Sequence, residues 1–172
     1  MFRKLKTRAT AMKTIAALLT QAEEIARSRG AERPAAEHLV IAALQLPDGT
    51  AARTLERLGS SAADFSAALA AQEADDLERI GVHADSDRID SELPRPSEPG
   101  GVYRTEPSAQ QLFQAAGDDA RRGRGALVGA HVLRAAGALE HGPTARARRR
   151  MGIDRTELQA AASAEIQARR SA

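Results

Sequence analysis

The sequence predicts an all-α fold made of two tandem four-helix repeats. Three observations predict it. Of 172 residues, 38 are Ala, against three Phe, one Tyr and no Trp, a composition suited to helices packed closely through small side chains. Apolar residues recur at helical rather than strand spacing. The chain also matches itself without a gap at an offset of 93 residues. Pairing 19–69 with 112–162 gives 16 identities in 51 positions, among them Arg29/Arg122, Gly30/Gly123, His38/His131, Arg53/Arg146, Arg57/Arg150 and Gly59/Gly152.

Each repeat resolves into four helices. In the first, Ile15, Leu18, Leu19, Ala22, Ile25 and Ala26 form a stripe that Gly30 ends with a left-handed cap. Pro34 suits the first turn of a second helix, where its missing N–H costs nothing, and Leu39, Val40, Ala43 and Leu44 form the buried face up to Pro47 and Gly49. Ala51 to Leu58 is a short third helix closed by Gly59. Ser61 caps a fourth that buries Phe65, Leu69 and Leu77. The second repeat follows the same plan from Pro107 to Ile166.

The resulting division is a basic N-terminal segment at 1–10, repeat 1 at 11–80, an acidic Pro/Gly linker at 81–104, repeat 2 at 105–168 and a tail at 169–172. The linker carries Pro94, Pro96, Pro99, Gly100 and Gly101 and is expected to hold little regular structure. The two ends are expected to fray.

Charge is distributed unevenly. Residues 1–100 sum to −3 and residues 101–172 to +5, while Glu73–Glu98 alone sums to −6. The absence of Cys removes disulfides, thiolate metal sites and thiol nucleophiles. The apolar runs are far shorter than the roughly 20 residues needed to span a bilayer, and no apolar segment with a cleavage site follows the basic start. A cytoplasmic protein is expected. No nucleophile elbow, zinc-protease motif or opposed carboxylate pair stands out, so an enzyme is not expected.

The first-helix stripe ending in Gly30, then Glu37-His38-Leu39-Val40, then Ala52-Arg53-Thr54-Leu55-Glu56-Arg57-Leu58-Gly59, all duplicated, resembles the Clp N-terminal repeat domain of the ClpA, ClpB and ClpC unfoldases. The resemblance covers roughly residues 11–166. It implies an all-α fold of two four-helix repeats related by a pseudo-twofold, a docking platform for substrates and adaptors with no catalysis of its own. The chain contains no G-x-x-x-x-G-K-[ST] loop to cradle a triphosphate, so it looks like such a domain without its ATPase modules. The implied partner is a protein or peptide segment, a Clp unfoldase component or a peptide natural product, with no cofactor, no metal and a monomeric chain.

In ClpC-type members the acid of the Glu-His pair and a Thr near the first helix hold phosphoarginine. Here Glu37 supplies the acid in repeat 1, but the Thr position falls on Met12. Repeat 2 has Ala130 for the acid and Glu106 near the Thr. A carboxylate there repels a phosphate, so the resemblance does not carry that ligand over.

Glu37 and Tyr103 are the candidate peptide-binding residues. Tyr103 precedes repeat 2 where family members often carry an aromatic, and Glu37 has the plainer reading of a carboxylate favoured in a first helical turn. His38 and His131 read as buried imidazoles hydrogen-bonded at the start of each second helix. His83, Asp85 and Asp87 have a spacing too weak to specify a metal. Arg146, Arg148, Arg149 and Arg150, with Arg121, Arg122, Arg124 and Arg155, are the candidate surface for an anionic partner, the basis of an alternative reading as a nucleic-acid-associated regulatory protein. No aromatics interleave for base stacking, and a solvated face neutralised by the acidic segment explains the same run. Arg148 stands where repeat 1 has Leu55, which points to a reshaped third helix.

Overall fold

The computed structural model describes residues 2–79 and 105–171, with side chains from residue 12 onward. These residues form eight helices: α1 (Phe2–Ser28), α2 (Ala36–Leu44), α3 (Thr50–Glu56), α4 (Ala62–Arg79), α5 (Pro107–Arg122), α6 (Gly129–Gly137), α7 (Gly142–Arg150) and α8 (Arg155–Ser171). Four precede the 81–104 segment and four follow it, as the repeat predicts. The linker, Tyr103, His83, Asp85 and Asp87 lie outside the described residues.

Boundaries differ from expectation at both ends. Helix α1 begins at Phe2 and α8 continues to Ser171, because Lys, Arg, Ala and Gln are good helix formers and no Gly or Pro interrupts either end. Pro34 precedes α2 instead of occupying its first turn. The N-cap is Ala35, in extended conformation, and the cap comes from three residues on, where His38 Nδ1 accepts the Ala35 N–H at 2.9 Å. His131 Nδ1 does the same for the Val128 N–H at 3.2 Å in α6. The duplicated histidines thus stand in for the missing cap side chains. At α4 the expected cap is present: Ser61 Oγ accepts the Asp64 N–H at 3.2 Å, and Asp64 Oδ2 accepts the Ser61 N–H at 2.8 Å.

The helix stops are alike where geometry demands it. Gly59 and Gly152 adopt φ +69° and +70°, and the N–H groups of Ser60 and Ile153 return to the carbonyls of Leu55 and Arg148, a left-handed cap that Gly enters without a Cβ penalty. Gly30 is left-handed as well, but its counterpart Gly123 is not. Arg124 takes that conformation instead, at φ 53°, so the α5 stop is displaced by one residue.

The two repeats interlock. Helix α2 packs on α6, while α3 packs on α8 and α4 on α7, so the third and fourth helices of each repeat lie against the other repeat. One apolar core results, joining Leu18, Leu39, Val40, Leu55, Phe65 and Leu69 to Leu112, Val132, Leu133, Leu158 and Ile166. Leu77, expected inside, is 39% exposed: its place near the α4 end lies beyond the core.

Duplicated arginines bind the repeats together. Glu165 of α8, 4% exposed, accepts from Arg53 Nε at 2.7 Å and Arg57 Nε at 2.6 Å. Their counterparts reach α4: Arg146 to Asp76 at 3.2 Å and Arg150 to Asp75 at 2.6 Å. The Gln72 amide, oxygen toward Arg146, accepts from its Nε at 3.1 Å and Nη2 at 2.9 Å. Gln72 is the counterpart of Glu165 by the 93-residue offset. The same third-helix to fourth-helix clasp therefore occurs twice, in opposite directions.

Candidate functional site

Glu37 is the second residue of α2. It is half-buried and forms no hydrogen bond or ion pair with any described residue. Its surroundings come from both repeats. The start of α5 docks on the entry to α2, where Ser108 Oγ accepts the Ala36 N–H at 3.2 Å and the Glu106 N–H donates to the Pro34 carbonyl at 2.8 Å. Thr105, the first described residue of repeat 2, is buried there, and its carbonyl accepts from Gln110 Nε2 at 3.0 Å. Arg29, just past the end of α1, pairs with Glu73 of α4 at 2.6 Å. Burial is the main force lowering the His38 pKa, with the Arg29 charge adding to it and Glu37 and Glu73 opposing it. The imidazole stays neutral, as its acceptor role requires.

The counterpart of Glu37 is closed. Ala130 is fully buried, and its N–H donates to Thr50 Oγ1 at 2.9 Å. The preceding Gly129 N–H donates to Asp48 Oδ2 at 3.1 Å, and Asp48 Oδ1 also accepts from the Thr50 N–H at 2.8 Å and hydroxyl at 2.5 Å. The α2–α3 turn of repeat 1 therefore caps the start of α6 in repeat 2 and seals it. Only the α2 end carries, at this position, a carboxylate without a partner among the described residues. An unpaired, half-buried carboxylate at the N-terminus of a helix can accept N–H donors from a guanidinium, an ammonium or an extended backbone. Met12, which falls at the family's Thr position, is 73% exposed on α1.

The structure separates the other candidates. Arg146 and Arg150 are engaged with α4, and Arg148 is buried, donating from Nη1 to the Ile153 carbonyl at 2.8 Å. Arg149 donates to the Glu140 carbonyl at 3.0 Å. Arg121 pairs with Asp118, and Arg155 with Glu140 at 2.9 Å. Acids of the Glu73–Glu98 stretch do neutralise part of the basic run, through Asp75 and Asp76 on α4. Among the described residues no group of three or more His, Asp or Glu is placed to hold a metal, and no helix is long and apolar enough to cross a membrane. The closed α6 end and the cross-repeat role of Asp48 and Thr50 have no sequence signal beyond the lack of identity at those positions.

No curated protein matches it. The N-terminal domain of the caseinolytic protease associated chaperone ClpD from Arabidopsis thaliana shares its fold, with a TM-score of 0.57, 15% sequence identity, and 90% of this chain and 92% of that chain covered. The Clp repeat (R) N-terminal domain matches residues 12–146, well over half of the chain, and this protein belongs to that family.

Proposed function

We propose that this chain is a non-enzymatic binding module that recognises a peptide or protein segment at the surface around Glu37, accessory to a Clp unfoldase in the cytoplasm. Clp N-domains bind protein substrates and adaptors, and that family role supports the reading. The observation that carries it is the open carboxylate of Glu37 at the meeting of α2 and α5, against the sealed Ala130 position. An adaptor that presents the segment to an unfoldase and a decoy that sequesters peptide-like natural products use the same surface. Tyr103, outside the described residues, is proposed as a second binding residue.

The test is affinity capture of Clp subunits from a cytoplasmic lysate on the immobilised protein, beside Glu37→Ala and Tyr103→Ala. Recovery that falls in both variants is the expected result. Recovery unchanged in both removes the site from this surface. The alternative, nucleic-acid association through the Arg-rich face, needs Arg146, Arg148 and Arg150 free for phosphates, whereas each is occupied. Binding to DNA at ~50 mM salt with a steep loss on adding salt would favour it nonetheless.

A further inference from the structure

A pocket of about 290 Å³ opens in repeat 2 between the end of α5, the loop before α6, and the end of α8. His131 lines it while only 3% exposed. Because Nδ1 accepts the Val128 N–H, the neutral ring carries its proton on Nε2, and Nε2 has no partner among the described residues. The pocket wall therefore includes this N–H, carried on a side chain that is itself almost fully buried. Beside it, Arg134 is held rigid by Asp119, which accepts from Nε at 2.7 Å, and by Ser163 Oγ, which accepts from Nη1 at 3.1 Å. Arg169 and Arg170 also line the pocket and form no ion pair with any described residue. Three guanidinium groups against one carboxylate leave the pocket positive, and Ala126, Val128 and Ile166 give it an apolar wall.

The repeat supplies an internal control. The same histidine occurs at His38, but the counterparts of Asp119, Arg134, Arg169 and Arg170 are Ala26, Ile41, Asp76 and Leu77. The fold thus tolerates this place without any of the four. A helix C-terminus favours cations, which accounts for Arg169 and Arg170 singly but not for Arg134 clamped beside the His131 ring. We infer that the repeat 2 pocket binds a small oxyanion, a carboxylate or phosphate group on a short apolar stem, with His131 Nε2–H and the Arg134, Arg169 and Arg170 guanidiniums as its donors. Charge-assisted hydrogen bonds of this kind are short and strong, and the volume admits a ligand of a few heavy atoms beyond the anion. The site is independent of the Glu37 surface.

The test follows the His131 Cε1–H resonance by NMR while the full chain is titrated with inorganic phosphate and, separately, with butyrate, at constant ionic strength set by NaCl. The comparison variant is Arg169→Gln/Arg170→Gln, both exposed positions that leave the core intact. A saturable shift of His131 with at least one probe, with His38 unmoved and affinity at least about fivefold weaker in the double variant, is expected. Phosphate alone saturating identifies a phosphate ligand, and butyrate alone a carboxylate. A His131 resonance that ignores both probes, that moves equally with NaCl, or that responds undiminished in the double variant overturns the inference.

Discussion

Arg148 is the residue at which the duplication departs most from its own pattern. Its counterpart Leu55 is 1% exposed in the same core, while Arg148 is buried with one hydrogen bond and an unpartnered Nε. Burial, with the neighbouring Arg149 charge, lowers its pKa. Replacing a poorly paired buried cation by an apolar side chain is commonly stabilising, so Arg148→Leu is expected to raise stability by about 1–3 kcal/mol. Urea denaturation with an unchanged slope checks it; a lowered midpoint would show that the Ile153 contact outweighs the desolvation. The histidines set a pH dependence. Burial lowers the pKa of His38, and of His131 against the opposing Asp119 charge. Below about pH 6.5 the unfolded chain therefore takes up protons that the folded chain refuses. Stability is complete above that pH and is expected to fall as pH drops toward the lowered folded values, by up to about 1.4 kcal/mol per unit per histidine. Thermal unfolding between pH 7.5 and 5 measures it, and stability rising in that interval would contradict the capping role. The sequence revealed these histidines as a pair because identity at equal spacing survives in both copies. The Arg53/Arg146 and Arg57/Arg150 identities were visible too, but their partners lie in the opposite repeat, which no local pattern encodes.

At the scale of helices, the repeats meet closely at Gly129. A Cβ on Gly129 would come within 2.8 Å of the Ala51 Cβ and 2.9 Å of the Ala43 carbonyl oxygen. Helix α6 therefore approaches the α2–α3 turn only because it begins with Gly, and Asp48 and Thr50 cap it from that distance. Gly129→Ala is expected to cost about 1–3 kcal/mol through overpacking and the stretched caps, read as a lower urea midpoint; a neutral result would mean the helices separate freely. Gly137 has a related role, since a Cβ there would meet the Gln159 side chain at 2.9 Å and the Arg155 carbonyl at 3.3 Å. Its counterpart is Leu44, and α6 packs closely on α8 where α2 lies only lightly on α4. Helix number, order and most buried faces were legible from periodicity and from Gly and Pro stops. The Ser61 cap of α4 was legible too, but the caps of α2 and α6 were not, because Ala35 and Val128 offer no cap side chain and the imidazole three residues on is an uncommon substitute.

For the whole molecule, interlocking means that neither repeat closes its own core. Helices α3 and α4 bury their apolar faces on α8 and α7, so residues 1–80 or 105–172 alone would expose Leu55, Phe65 or Leu158 to water, at roughly 1.5–3 kcal/mol for each large side chain. Each half is expected to lack cooperative unfolding alone, and the two mixed to recover it, by circular dichroism; a half that unfolds cooperatively would show the repeats to be separate domains. The duplication was legible at this scale, the exchange of packing partners between copies was not, and the candidate site was legible only as Glu37. Its openness depends on the asymmetry that seals Ala130.

The most direct measurement is amide hydrogen exchange on the full chain with and without a permanently unfolded polypeptide, such as reduced and carboxymethylated lactalbumin. Binding at the Glu37 surface predicts added protection at the starts of α2 and α5, reduced in Glu37→Ala. Unchanged exchange there, or protection confined to α7, would contradict it.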